Sequence, residues 1–141
     1  MAANSTLLGI YDPKKVTFSF NGINFSGFAD GEFITVSRSD KELYKMHVGA
    51  HGESAKTKNN NTTGTVKVVL KQTSPSNAFC DGIKNSTATG PIMIKNQSSG
   101  AEIAVASEAW INEEPERKFS TEESMVEWIF MCSDVNMYAM S

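Results

Sequence analysis

The sequence predicts a mainly β protein: a β-sandwich or partial barrel of about eight or nine strands with one short flanking α-helix. Three observations predict it. Apolar residues recur with period two in one short segment after another, as at positions 16–20, 32–38 and 65–71. Clusters of Gly, Asn, Asp and Ser separate these segments. Helix signals gather in only one stretch, which begins at Ser74-Pro75.

The elements follow in chain order. Val16, Phe18 and Phe20 share one face of a first strand, and Thr17 and Ser19 the other. Asn21-Gly22 follows and then Ile23-Asn24-Phe25-Ser26, so a two-residue hairpin is expected, because both turn positions need positive φ. A turn at Ala29-Asp30-Gly31 leads into a strand over 32–38, with Ile34 and Val36 on one face and Phe33, Thr35 and Ser37 on the other. Positions 43–48 read as a strand with Tyr44, Met46 and Val48 together, and 49–64 as a polar loop, extended near 53–58. Positions 65–71 form an amphipathic strand, with Val66, Val68 and Leu70 inward and Thr65, Lys67 and Lys71 outward.

Ser74 suits an N-cap and Pro75 the first helical position, and Phe79 and Ile83 lie four apart on one face. A short helix over about 75–84 is expected, with Asn85 as a left-handed cap. Ile92-Met93-Ile94 is a short strand. Positions 101–111 mix helix-favouring Ala and Glu with strand alternation. We assign a strand with Ile103, Val105, Ala109 and Ile111 on one face. Pro115 and the charges around it make 113–123 a loop. Positions 125–132 are apolar on both faces, as in a central strand or one covered by a partner, and 135–140 form a last strand. The whole chain, 1–141, is expected to be one domain, with 1–10 as an N-terminal arm.

Composition excludes several roles. The 141 residues carry 13 basic and 16 acidic side chains, a net charge of -3. That gives no general attraction to nucleic acid or anionic membrane. The start of the chain lacks a signal-peptide pattern, and no stretch approaches the roughly 20 apolar residues of a membrane span. Cys80 and Cys132 match no zinc or redox spacing and read as reduced, partly buried thiols, with pairing left open. Asn-x-Ser/Thr triplets, as at Asn60 and Asn85, arise by chance in a chain rich in these residues. His47 and His51 have helical metal-ligand spacing, but Gly49 and Gly52 argue against a helix there. No nucleophile motif, phosphate-binding loop or acid pair suggests catalysis, and no cofactor is expected.

The order of segments resembles the tail tube subunits of contractile-tailed phages. The matching runs include Tyr11-Asp12-Pro13-Lys14-Lys15-Val16, Gly27-Phe28-Ala29-Asp30-Gly31-Glu32, Gly49-Ala50-His51-Gly52-Glu53 and Gly64-Thr65-Val66-Lys67-Val68. Leu70-Lys71-Gln72-Thr73-Ser74-Pro75-Ser76-Asn77 is the most distinctive, and Ala109-Trp110-Ile111 and Trp128-Ile129-Phe130 close the series. The chain departs from the pattern at His51, where an acid is expected, and at Asn59 to Asn61, where a more charged loop is expected.

The resemblance implies a structural virion protein, made in the host cytoplasm, that forms homohexameric rings stacked into a tube for DNA ejection. Sheath and baseplate or terminator proteins are implied partners, and DNA passes without specific binding. Expected lumen residues are Thr35, Ser37, Lys45, Thr65, Lys67 and Lys71, on a long polar-faced hairpin over 32–48 and 53–71. The expected subunit interface takes Gly49, His51, Glu53, Lys56, Lys58, Asn59, Asn60 and Asn61 from the intervening loop. Met125, Ile129 and Met131 join it from the two-sided apolar strand. The alternatives are a tube subunit of a bacterial injection or secretion machine, a tail terminator or adaptor ring, and a β-sandwich ligand-binding module.

Overall fold

The computed structural model of the chain describes residues 9–139. A 3-10 turn at Pro13–Lys15, closed by Asp12 Oδ1 accepting from Lys14 N at 3.0 Å, starts the first strand. β1 (Val16–Phe20) turns through Asn21 and Gly22, at φ 53° and 85°, into β2 (Ile23–Asn24). This is the expected hairpin, shorter in its second strand because Phe25 folds back into the core. Then come β3 (Ile34–Arg38), β4 (Tyr44–Val48), β5 (Ser54–Lys58) and β6 (Gly64–Lys71). These nest as one long antiparallel hairpin, β3 pairing with β6 and β4 with β5. α1 (Ser76–Ser86) leads to β7 (Gly90–Asn96), β8 (Glu102–Glu113), β9 (Met125–Cys132) and β10 (Asn136–Ala139).

Eight strands make one antiparallel sheet in the order β2-β1-β7-β8-β9-β6-β3, with β10 also on β8. The sheet folds over along β8. The first half of β8 pairs with β7 and β10, and its last residues pair with β9. The two layers enclose a core of Phe18, Phe20, Ile92, Val66, Val68, Leu70, Trp128 and Phe130. Phe130 of one layer stands 5.7 Å from Phe18 and 5.5 Å from Phe20 of the other, ring centre to ring centre. α1 closes one side with Cys80 and Ile83 buried and Phe79 edge-on to Phe25. The layers do not close into a barrel. Among the described residues β3 pairs only with β6, and β10 only with β8.

Several expectations need correction. The extended part expected within the 49–64 loop is a full strand at Ser54–Lys58, because it pairs with β4 along its whole length. The helix runs on to Ser86, and the left-handed residue after it is Thr87 (φ 53°), not Asn85, with Thr87 N–H reaching back to Ile83 and Lys84 carbonyls. The helix starts at Ser76, so Pro75 and not Ser74 holds the cap position, while Ser74 Oγ accepts from Ser76 N at 3.2 Å just before it. Ile103 and Val105 do not share a face with Ala109 and Ile111. Gly90 and Ile92 of β7 face Ala109 and Ala106 of β8, so β8 holds one extra residue there. This bulge puts Ala104, Ala106, Ala109 and Ile111 toward the core. Of the last expected strand, Asn136–Ala139 is observed, and Met140 lies outside the described residues, as do positions 1–8 of the N-terminal arm.

Candidate assembly interface

The layer β8-β9-β6-β3 has one face on the core and one turned outward. Strand register arranges the outward face in rows. Ser37, Thr65, Met131 and Trp110 form one row, and Thr35, Lys67, Ile129 and Glu113 the next. Lys71 and Met125 pair at the far end. Lys67 Nζ and Glu127 Oε1 stand 3.5 Å apart on this face.

At one end of the layer the chain leaves as an arm, the two-stranded sheet β4-β5. Every residue of both strands is exposed. Tyr44, Met46 and Val48 lie on one face at 51%, 72% and 64% exposure. An isolated two-stranded ribbon is marginal in water, and an uncovered apolar row marks a surface for association. Tyr44 pairs with Lys58 and Met46 with Lys56, so two lysines share that face, Lys56 Nζ standing 4.5 Å over the Tyr44 ring.

The base of the arm is tied firmly. Arg38 Nε and Nη2 donate to Val135 O at 3.0 and 2.7 Å. Asn59 Nδ2 donates to Glu42 O at 2.7 Å, and Asn61 Oδ1 accepts from Thr63 N and Oγ1. The Glu42 N–H and then the Asn59 side chain hold the Asp40 carboxyl below its usual range. At the tip Gly52 has φ 88° and closes the turn to Gly49.

Beside β9, from the Glu113–Ile129 row to the far end at Met125, Glu113, Glu116, Glu123, Glu127, Met125 and Ile129 border a cleft of about 520 Å³. Its rim is the loop between β8 and β9. Ion pairs fasten that loop to α1: Lys84 Nζ to Glu114 Oε1 at 2.7 Å and Arg117 Nη2 to Asp81 Oδ1 at 2.6 Å. The Arg117 hydrogen bond lowers the Asp81 pKa, and the Glu114 hydrogen bond raises that of Lys84. Both pairs therefore stay charged at neutral pH.

The structure brings Thr35, Ser37, Thr65, Lys67 and Lys71 onto the same outward face as Met125, Ile129 and Met131. Lys45 stands apart, on the arm beside Asp40. Gly49, His51, Glu53, Lys56 and Lys58 belong to the arm, and Asn59, Asn60 and Asn61 to its base. Sequence reasoning placed Tyr44, Met46 and Val48 on one face but gave them no role in assembly. Their period-two pattern was legible, whereas the lack of a covering layer was not. The acidic cleft was read only as a solvated loop. Among the described residues no group of His, Cys, Asp and Glu is placed to hold a metal ion, and no helix is long and apolar enough to cross a membrane.

Solved structures with the same fold come from contractile injection machines. The anti-feeding prophage cap, a tube-terminating cap, superposes with a TM-score of 0.64 at 12% identity, covering 99% of this chain and 95% of that one. The sheath/tube terminator of the PVC extracellular contractile injection system, in its extended state, gives 0.65 at 14% identity over 98% and 100%. A chain of the PVC sheath-tube complex gives 0.60 at 13% identity over 93% of each chain. At these identities the likeness speaks for the fold alone. No curated protein matches by sequence. The profile of a structural family does match, over residues 14–139, from the turn before β1 to the last residue of β10. The chain belongs to the family of the bacteriophage PhiTE tail tube protein, a structural and non-enzymatic component of the phage tail.

Proposed function

We propose that neighbouring copies complete the open sheet of this chain, forming hexameric rings that stack into the conduit for genome ejection. The observation that carries this reading is the unfinished layer β8-β9-β6-β3, with the outer edge of β3 unpaired among the described residues and an uncovered arm at one end. Strand edges expose backbone donors and acceptors, and pairing around a ring satisfies them. The outward face then lines the lumen with Thr35, Ser37, Thr65, Lys67 and Lys71. Met131 lies in the row nearest the arm, Ile129 in the next row, and Met125 at the other end, where stacked rings meet. The arm, with Gly49, His51, Glu53, Lys56 and Lys58, reaches an adjacent subunit. Asn59, Asn60 and Asn61 set its angle.

A DNA conduit works best without tight DNA binding. Six copies at -3 each give a ring charge of -18, which disfavours phosphate adhesion. The natural partners of such a tube are a sheath around it, a baseplate below and a terminator above, in a virion tail assembled in the host cytoplasm.

The terminator and cap neighbours favour a second reading, a ring that ends the tube. Negative-stain microscopy of the purified protein separates the two. A tube subunit polymerises along the axis, whereas a terminator stops at one ring. Deleting 59–63 tests the arm. Thr62 and Thr63 carbonyls accept from Val135 and Ser39, so folding of the deletion variant is checked by circular dichroism. Normal tubes from a folded variant would refute the role of that segment.

A further inference from the structure

The geometry points to the acidic cleft between β8 and β9 as the acceptor for the β4-β5 arm of a second copy of this chain. The inference rests on the tube reading and names the surfaces that meet in it.

The two surfaces match in chemistry. One face of the arm carries the apolar row Tyr44, Met46 and Val48 with Lys56 and Lys58 beside it. The cleft carries Met125 and Ile129 flanked by five glutamates, Glu113 and Glu116 among them, against one lysine, Lys118. Glu113 and Glu116 make no ion pair among the described residues, so both stand ready for an incoming cation. Tyr44, Met46, Val48 and Met125 are exposed in the single chain and Ile129 is half-buried, and the net charge bordering each surface is opposite in sign to that of the other.

They also match in position. The arm leaves where Arg38, Gly64 and Cys132 meet, and the cleft lies beside Met125, paired with Lys71. Along β6 from Gly64, Met125 lies level with Lys71, roughly 23 Å from the root of the arm, while Glu113 and Ile129 lie level with Lys67, roughly 10 Å from it. Within the single chain the arm does not cover the cleft: every residue of β4 and β5 is exposed. Between copies they make a head-to-tail contact, and repeating it gives an open filament along the strand direction.

A charge-swap series tests this. The variants are Lys56→Glu with Lys58→Glu, Glu113→Lys with Glu116→Lys, and all four together. All four side chains are exposed, so circular dichroism and the melting temperature should match wild type. The concentration needed for polymerisation, read by sedimentation, should rise about tenfold or more in each double variant and fall back toward wild type in the quadruple one. Double variants that polymerise like wild type would overturn the inference, and so would a quadruple variant that fails to recover. In both cases wild-type tubes would leave the tube reading intact. A wild-type protein that never polymerises would instead sink the tube reading itself.

Discussion

Trp128 Nε1 donates a 2.9 Å hydrogen bond to Asn77 Oδ1, joining the middle of β9 to the first turn of α1. Trp128 is fully buried, and Asn77 in turn donates to the Lys71 carbonyl at 2.9 Å. One side chain thus ties the helix to the end of β6 and to the largest residue of the core. Asn77→Ala leaves the buried indole N–H unpaired. It should destabilise the fold by about 1–3 kcal/mol, read as a lower urea midpoint with an unchanged slope.

Gly64 sits where β6, β3 and the start of β10 crowd together. A Cβ there would lie 2.5 Å from Ser37 O and 2.8 Å from Val135 Cγ2. Gly64→Ala should cost about 1–3 kcal/mol by overpacking against backbone. Gly82→Ala, which meets nothing within 4 Å, should be neutral or stabilising by up to about 1 kcal/mol. Thermal denaturation of the two variants gives the comparison.

Burial pushes the Cys80 thiol up to about 12 and the Cys132 thiol up to about 11, with a smaller contribution from Asp81 and Asp134 respectively. Both should therefore resist a thiol-specific reagent at pH 8 in the native protein and react quickly in urea. The sign for stability follows. Above the ordinary thiol value near 9 the unfolded chain loses protons that the native chain keeps. Stability contributed by these thiols is then full below pH 9 and falls as pH rises through 9 toward 11 and beyond. Urea midpoints at pH 7, 9 and 10 should decline in that order. A flat series, or rapid native labelling, would contradict the packing described.

The arm should be dispensable for folding and needed for assembly. Met46→Ser with Val48→Ser removes exposed apolar surface from a ribbon that touches no core residue. The melting temperature should stay within a few degrees of wild type, while the polymer fraction in sedimentation falls sharply. A large loss of melting temperature would mean that the row packs within its own chain.

The parts of the fold legible in the sequence are those set by local chemistry. Asn21-Gly22 specifies its hairpin because few residues accept two positive φ values in a row. Val66, Val68 and Leu70 specify the inward face of β6 by alternation alone. The bulge in β8 was hidden, because Ala106, Ser107, Glu108 and Ala109 carry no turn chemistry. The extra residue is set by Ser133 and Asp134 on the neighbouring chain segment, which bond to Glu108 O and Ser107 N. The left-handed Thr87 was hidden as well: Asn85 has the better local propensity, but it is Thr87 that adopts positive φ and returns its N–H to the Ile83 and Lys84 carbonyls.

The surfaces were legible in their residues and not in their setting. Lys56 and Lys58 stood out by charge, and Met125 and Ile129 by the two-sided apolar pattern of β9. That the arm and the cleft border one layer depends on the pairing of β6 with both β3 and β9. No local pattern encodes that arrangement.

The central claim is that the sheet of one molecule is unfinished and that neighbouring copies complete it. Negative-stain microscopy and sedimentation of the full chain, over rising protein concentration, test it most directly. The expected result is hollow tubes of uniform diameter above a threshold concentration. Monodisperse monomers at every concentration, with the β3 and β10 edge amides already protected from hydrogen exchange, would contradict it.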